Sequence, residues 1–187
     1  MPGSQPDALA AARQFARWVI NAHYPRSYRL YSAALAPWLD SEDGRSVAGW
    51  LATFASRTGD PIPPAETGDL MALYALSRVN DILITSYQTV DPDSGAVKFD
   101  GLGAYEYERF WSGLGLRLVR DAPYSPVLHE IVGVEQTQPA DPIVTVEEAW
   151  PALMLGPMVF SRGGAHVMAG EVNVVRDVWR TSTLYWA

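Results

Sequence analysis

Cysteine is absent from this chain of 187 residues. Its absence removes disulfides, thiolate metal ligands and a cysteine nucleophile together. It also leaves no mark of secretory disulfide chemistry, which favours the cytoplasm. Lysine is almost absent: thirteen of the fourteen basic residues are arginine, and Lys98 is the exception. With alanine abundant, a GC-rich bacterial genome accounts for this bias without selection for bidentate arginine contacts. Basic charge as a whole is short. The net charge is −7 and the basic residues are scattered along the chain. A duplex or membrane-surface binder needs a basic face, so no nucleic-acid partner is expected; an acidic surface suits a basic partner instead.

Long apolar runs are missing too. The best candidate, Trp150 to Phe160, is interrupted by Pro151, Gly156 and Pro157, and a membrane span needs ~20 apolar residues. The opening MPGSQPDALAAARQF has no basic region followed by an apolar one, so neither a signal peptide nor a membrane association is expected.

Histidine is scarce, and the three present, His23, His129 and His166, stand in separate segments without HxH or HxxxH spacing. No metal and no cofactor are therefore expected. An HExxH zinc motif beginning at His129 fails because residue 133 is glycine. The aspartates of Asp91-Pro-Asp-Ser-Gly95 suit a turn rather than a calcium loop, since Leu102 stands where a bidentate glutamate is required. There is no GxSxG, no SxxK and no glycine-rich phosphate loop.

What is present suffices for a core. Apolar residues make up 48% and charged residues 19%, and the length suits one domain over residues 1–187. A Pro-rich connector at 59–68 lies inside it.

Up to Leu83 the apolar spacing is helical. Asp7 can cap a helix from Ala8 to Ala22, whose apolar stripe (Leu9, Ala12, Ala16, Val19, Ile20) is widened by Phe15 and Trp18; Arg13 and Arg17 sit one turn apart on the other side. A second helix carries Tyr28, Tyr31, Leu35 and Trp38, and Pro37 is expected to kink or end it. Ser46 is the expected cap of a third, and a fourth runs from Asp69 to Leu83, with Leu70, Leu73, Leu76 or Ser77, Val79 and Leu83 as its inward row.

Beyond Thr85 the pattern shifts to turns and alternation. Ser86–Phe99 reads as a hairpin, and Ala104–Gly113 as a helix with Tyr107, Phe110 and Trp111 inward. Thr145-Val-Glu-Glu148 resembles a helix-opening capping box. Pro157–Val175 alternates about a turn at Gly163-Gly164. The fold class expected is α+β: a mainly helical N-terminal half packed on an antiparallel sheet from Ser86–Phe99, Pro126–Gln136 and Pro157–Val175. The terminal Leu184–Trp186 is apolar enough to need something to dock against.

Chemistry concentrates in Pro123–Gln136, PYSPVLHEIVGVEQ. As a helix it would open at Ser125 and Pro126; the β-branched Ile131, Val132 and Val134 favour a strand. In a strand, His129 and Glu135 share one face and Glu130 points to the more apolar one, where desolvation raises a carboxyl pKa. His129, Glu130 and Glu135 are thus the candidate acid–base residues of a hydrolytic enzyme. A half-exposed strand with solvated or salt-bridged side chains is the plainer account.

A second cluster is aromatic and basic: Tyr24, Arg26, Tyr28 and Arg29, at a break between helices. Tyrosine and arginine dominate interface hot spots. Arg162 and His166 are further binding candidates. With no catalytic signature, the leading functional expectation is a small cytoplasmic bacterial protein that binds a protein partner as an inhibitor or immunity protein does. The hydrolase is the alternative.

Overall fold

Helices come first in this chain and strands after them, an α+β arrangement. The computed structural model describes residues 7–21, 29–84 and 102–178. They fall into two units, Met1–Arg117 with Leu155–Met158, and Leu118–Met154 with Val159–Ala187. The Ser86–Phe99 hairpin, His23, Tyr24, Arg26, Tyr28 and Leu184–Trp186 lie outside the described residues.

In the first unit, helix α1 spans Ala8–Asn21. Asp7 caps it, its Oδ1 accepting from the backbone N–H of Leu9 at 3.0 Å and of Ala10 at 3.3 Å. Ala12, Phe15, Ala16 and Val19 are buried, but Trp18 and Ile20 from the same stripe remain 44% and 48% exposed. A π turn at Tyr31–Leu35 leads into α2, Ala36–Leu39, with the Ala36 N–H donating to the Tyr31 carbonyl five residues back. Pro37 does not end this helical segment. It sits in the first turn of α2, where its missing N–H is tolerated.

Helix α3 spans Glu42–Ala55, so it begins before Ser46. Its cap is Ser41, whose Oγ accepts from the Gly44 N–H at 3.1 Å and donates to the Trp38 carbonyl at 2.6 Å. Glu42 and Asp43 then face the positive end of the helix dipole. Helix α4, Thr67–Ile84, is tied to α3 by the Trp50 Nε1–H donating to Asp69 Oδ1 at 2.9 Å. Helix α5 covers Ala104–Gly113 with Tyr107, Phe110 and Trp111 fully buried, as the sequence predicts. Their core is aromatic: Phe15 stacks on Trp38 with centroids 3.7 Å apart, and Phe110 lies within 6.2 Å of both rings. Buried Asn80 is satisfied by the Tyr107 hydroxyl, 2.8 Å from its Oδ1.

Strands β1 (Arg117–Val119), β4 (Ala152–Leu155) and β5 (Met158–Ser161) form a sheet in the order β1-β4-β5. Strands β2 (His129–Gln136), β3 (Val144–Trp150) and β6 (Gly163–Ala169) form another, ordered β2-β6-β3. This second sheet corrects the antiparallel expectation: β3 runs antiparallel to β6, but β2 runs parallel to it. Gly163-Gly164 is not a turn either. Both glycines open β6, while β5 belongs to the other sheet. Their smallness serves close packing: a Cβ on Gly164 would meet the Trp150 indole at 2.7 Å, and one on Gly163 would meet the Trp150 carbonyl at 2.9 Å. Thr145–Glu148 belongs to a strand, not a helix. Val144, Thr145 and Val146 are β-branched, and pairing with β6 overrides the capping-box letters.

Candidate functional site

Pro123–Gln136 combines both readings of its sequence. Ser125 opens a single turn, its carbonyl accepting from the N–H groups of Leu128 at 3.1 Å and His129 at 2.8 Å. The strand then starts at His129. His129 is 2% exposed and stacks on Tyr124, ring centroids 6.0 Å apart. Its Nδ1 accepts from the Ser125 N–H at 3.1 Å, which places the ring proton on Nε2. Glu130, 9% exposed, faces Arg162, whose Nη2 lies 3.8 Å from its Oε2. The buried glutamate therefore has a cationic neighbour in its own chain.

Two cavities open on this second unit. One, of about 480 Å³, is walled by Asp121, Tyr124, Ile143, Val146, Glu147 and Glu148 among others. Glu148 is its least ordinary group. Burial pushes its carboxyl pKa up, and the Asp121 carboxylate adds to this; a hydrogen bond from the Asp121 N–H (3.1 Å) and the charge of Arg120 oppose it. Asp121 has a φ of +53°, a left-handed conformation that aspartate adopts more readily than most residues. Burial also raises the Tyr124 phenol, against the pull of Arg162. The other cavity, about 510 Å³, brings Glu135 and His166 together with Glu147. The His166 imidazole lies over Gly133, where any Cβ would collide with it. His129 and Glu130 line neither cavity. Among the described residues no three His, Asp or Glu side chains converge as a metal would need.

The first unit carries a different surface. α1 and α4 leave a groove of about 520 Å³ between them. Its floor is made of small residues, Ala16, Gly68 and Ala75, and its apolar wall of Ile20, Met71 and Tyr74. Met71 and Tyr74 are 57% and 64% exposed. Arg13, Arg17 and Arg78 stand along it. Arg78 pairs with Asp81; Arg13 and Arg17 have no carboxylate at ion-pair distance among the described residues. Leu70, expected in the core, is likewise 54% exposed on α4.

Of the residues singled out from sequence, Glu135 and His166 thus meet in one cavity, and Glu130 meets Arg162. Arg29 is exposed just before the π turn, its carbonyl accepting from the Ala33 N–H. The groove was not singled out, although its signal is in the sequence: Arg13 and Arg17 one turn apart, and an α4 apolar almost all the way round. Among the described residues, no helix is long and apolar enough to cross a membrane. Comparison with protein-family models, curated proteins and solved structures finds no match to this chain.

Proposed function

We propose that this is a small cytoplasmic bacterial protein that acts by binding a protein partner, in the manner of an inhibitor or immunity protein, and that the α1–α4 groove is the surface it uses. The observation that carries this reading is an open apolar groove flanked by arginines. Exposed apolar surface of this kind is costly to keep in water and is a mark of interaction sites. Tyrosine, methionine and arginine are the residues interfaces enrich. The hydrolytic alternative has less support, because His129 and Glu130 line neither cavity of the second unit and Glu130 is matched by Arg162.

A photo-cross-linking residue placed at Tyr74 tests the reading in the cells that make the protein, with one at Val172 as control. The protein captured only at Tyr74 is identified, purified and titrated against wild type, Met71→Glu and Tyr74→Ala. Each variant is expected to weaken binding at least about tenfold, the range of an interface hot spot. Unchanged affinity in both variants removes the groove from the interface.

A further inference from the structure

Resting on the proposed partner-binding role, the geometry points to a specific occupant: we propose that the α1–α4 groove takes an amphipathic α-helix of the partner, with an apolar row facing the floor and carboxylates on its flank. The groove's direction and length come first. A Cβ on Gly68, in the first turn of α4, would lie 3.2 Å from Leu9, near the start of α1. From there the groove is lined by Arg13 to Ile20 on one helix and Thr67 to Arg78 on the other. The two helices therefore advance side by side in the same sense. At 1.5 Å per residue the α4 wall extends about 16 Å, three turns of helix. A third helix laid there has room to lie along both.

The floor fits that occupant. Ala16, Gly68 and Ala75 are short enough for a neighbouring helix to approach closely, while Ile20, Met71 and Tyr74 rise beside it to enclose an apolar row at i, i+3, i+4 and i+7. An extended strand would want unpaired backbone groups to bond with, and a pair of helices offers few.

The rim sets the sign. Arg13 and Arg17 are four residues apart on one face of α1, about 6 Å along its axis. Glutamates at i, i+4 on a docked helix repeat with the same spacing and meet both guanidinium groups. A second copy of this chain fits poorly, because a two-fold pairing of this face sets arginine rims against each other. An anionic membrane fits poorly as well: the apolar residues line a concavity, and the protein around them carries a net charge of −7.

The test is selection from a displayed library of three-to-five-turn helical peptides, randomised at all surface positions, against the full-length protein. Binders to Tyr74→Ala are removed first. Enriched peptides should carry an apolar i, i+3, i+4, i+7 row flanked by Asp or Glu. Replacing those acids with lysine should weaken binding about tenfold or more, and Arg13→Glu/Arg17→Glu should reverse the order. This preference runs against the protein's net charge, so non-specific attraction cannot mimic it. Circular dichroism establishes that each variant is folded. Enrichment without an acidic bias, a preference for lysine, or no enrichment at all overturns the helix proposal. So does co-sedimentation with phosphatidylglycerol vesicles that Tyr74→Ala abolishes, or a concentration-dependent dimer that it disrupts. The cross-linked partner of Tyr74 judges the broader reading separately, since it makes no assumption about the occupant's shape or charge.

Discussion

At Gly164 a single hydrogen atom separates a strand from a clash. Trp150 is 1% exposed, its Nε1–H donates to the Arg162 carbonyl at 3.1 Å, and its indole lies where a Gly164 side chain would be. The ring is held on both counts and has nowhere to go. Gly133 looks similar on paper, since a Cβ there would collide with the His166 imidazole. His166 is exposed, however, and its ring can turn into solvent. Gly164→Ala should therefore cost about 1–3 kcal/mol, the usual range for overpacking a filled core. Gly133→Ala should fall within about 1 kcal/mol of wild type, because alanine also restrains the unfolded strand. Urea midpoints with unchanged slopes check both. The pair also shows what sequence hides. Gly163-Gly164 carries a strong turn signal, and only the position of Trp150, distant in the chain, converts it into a packing requirement.

Helix boundaries and strand identity divide by how local their causes are. Asp7, followed at once by α1, is legible because cap and helix are adjacent. Ala104–Gly113 is legible because Tyr107, Phe110 and Trp111 fall on one face of one helix. The start of α3 is decided between two serines. Ser46 stands before an apolar stretch, but Ser41 has Glu42, Asp43 and a glycine at residue 44, where a side chain would strike the Trp38 carbonyl and Leu39. That contact is invisible until the preceding helix is placed. Ser41→Ala should lower stability by about 1 kcal/mol, as loss of a cap does, measured by thermal or denaturant unfolding. β3 fails for the opposite reason: its capping-box letters are a local signal, and pairing with β6 is a long-range one that prevails. The parallel pairing of β2 with β6 is equally long-range, and no local pattern in either strand announces it. The candidate acid–base residues suffered similarly. Alternation in β2 assigned faces to His129 and Glu130, but not Arg162, which comes from the segment between β5 and β6.

For the whole molecule, the average charge and the local charge point in opposite directions. A net charge of −7 suggests a basic partner, yet the groove has an arginine rim. Composition sums over a surface and cannot report where the minority charge gathers. The same acidity shapes the response to pH. The sequence pI is about 4.9, so self-repulsion among carboxylates grows as pH rises above it. Two carboxyls add to this. Burial raises Glu148 above its ordinary 4.5 and Asp81 above its ordinary 3.8, with the charges of Arg120 and Arg78 only partly offsetting it. A carboxyl whose folded value is raised favours folding most below its unfolded value, and that contribution is lost as pH rises through the folded value. Lowering the pH from 8 towards about 5 should therefore raise the melting temperature. Glu148→Gln isolates the local part. It keeps an oxygen to accept from the Asp121 N–H but has no charge to desolvate. The variant should melt above wild type at pH 8 and converge with it near pH 4, and calorimetric scans of both proteins at constant ionic strength measure the difference. A variant that melts below wild type at pH 8 by more than it does at pH 4 would show that the Arg120 and Asp121 contacts outweigh burial at this site.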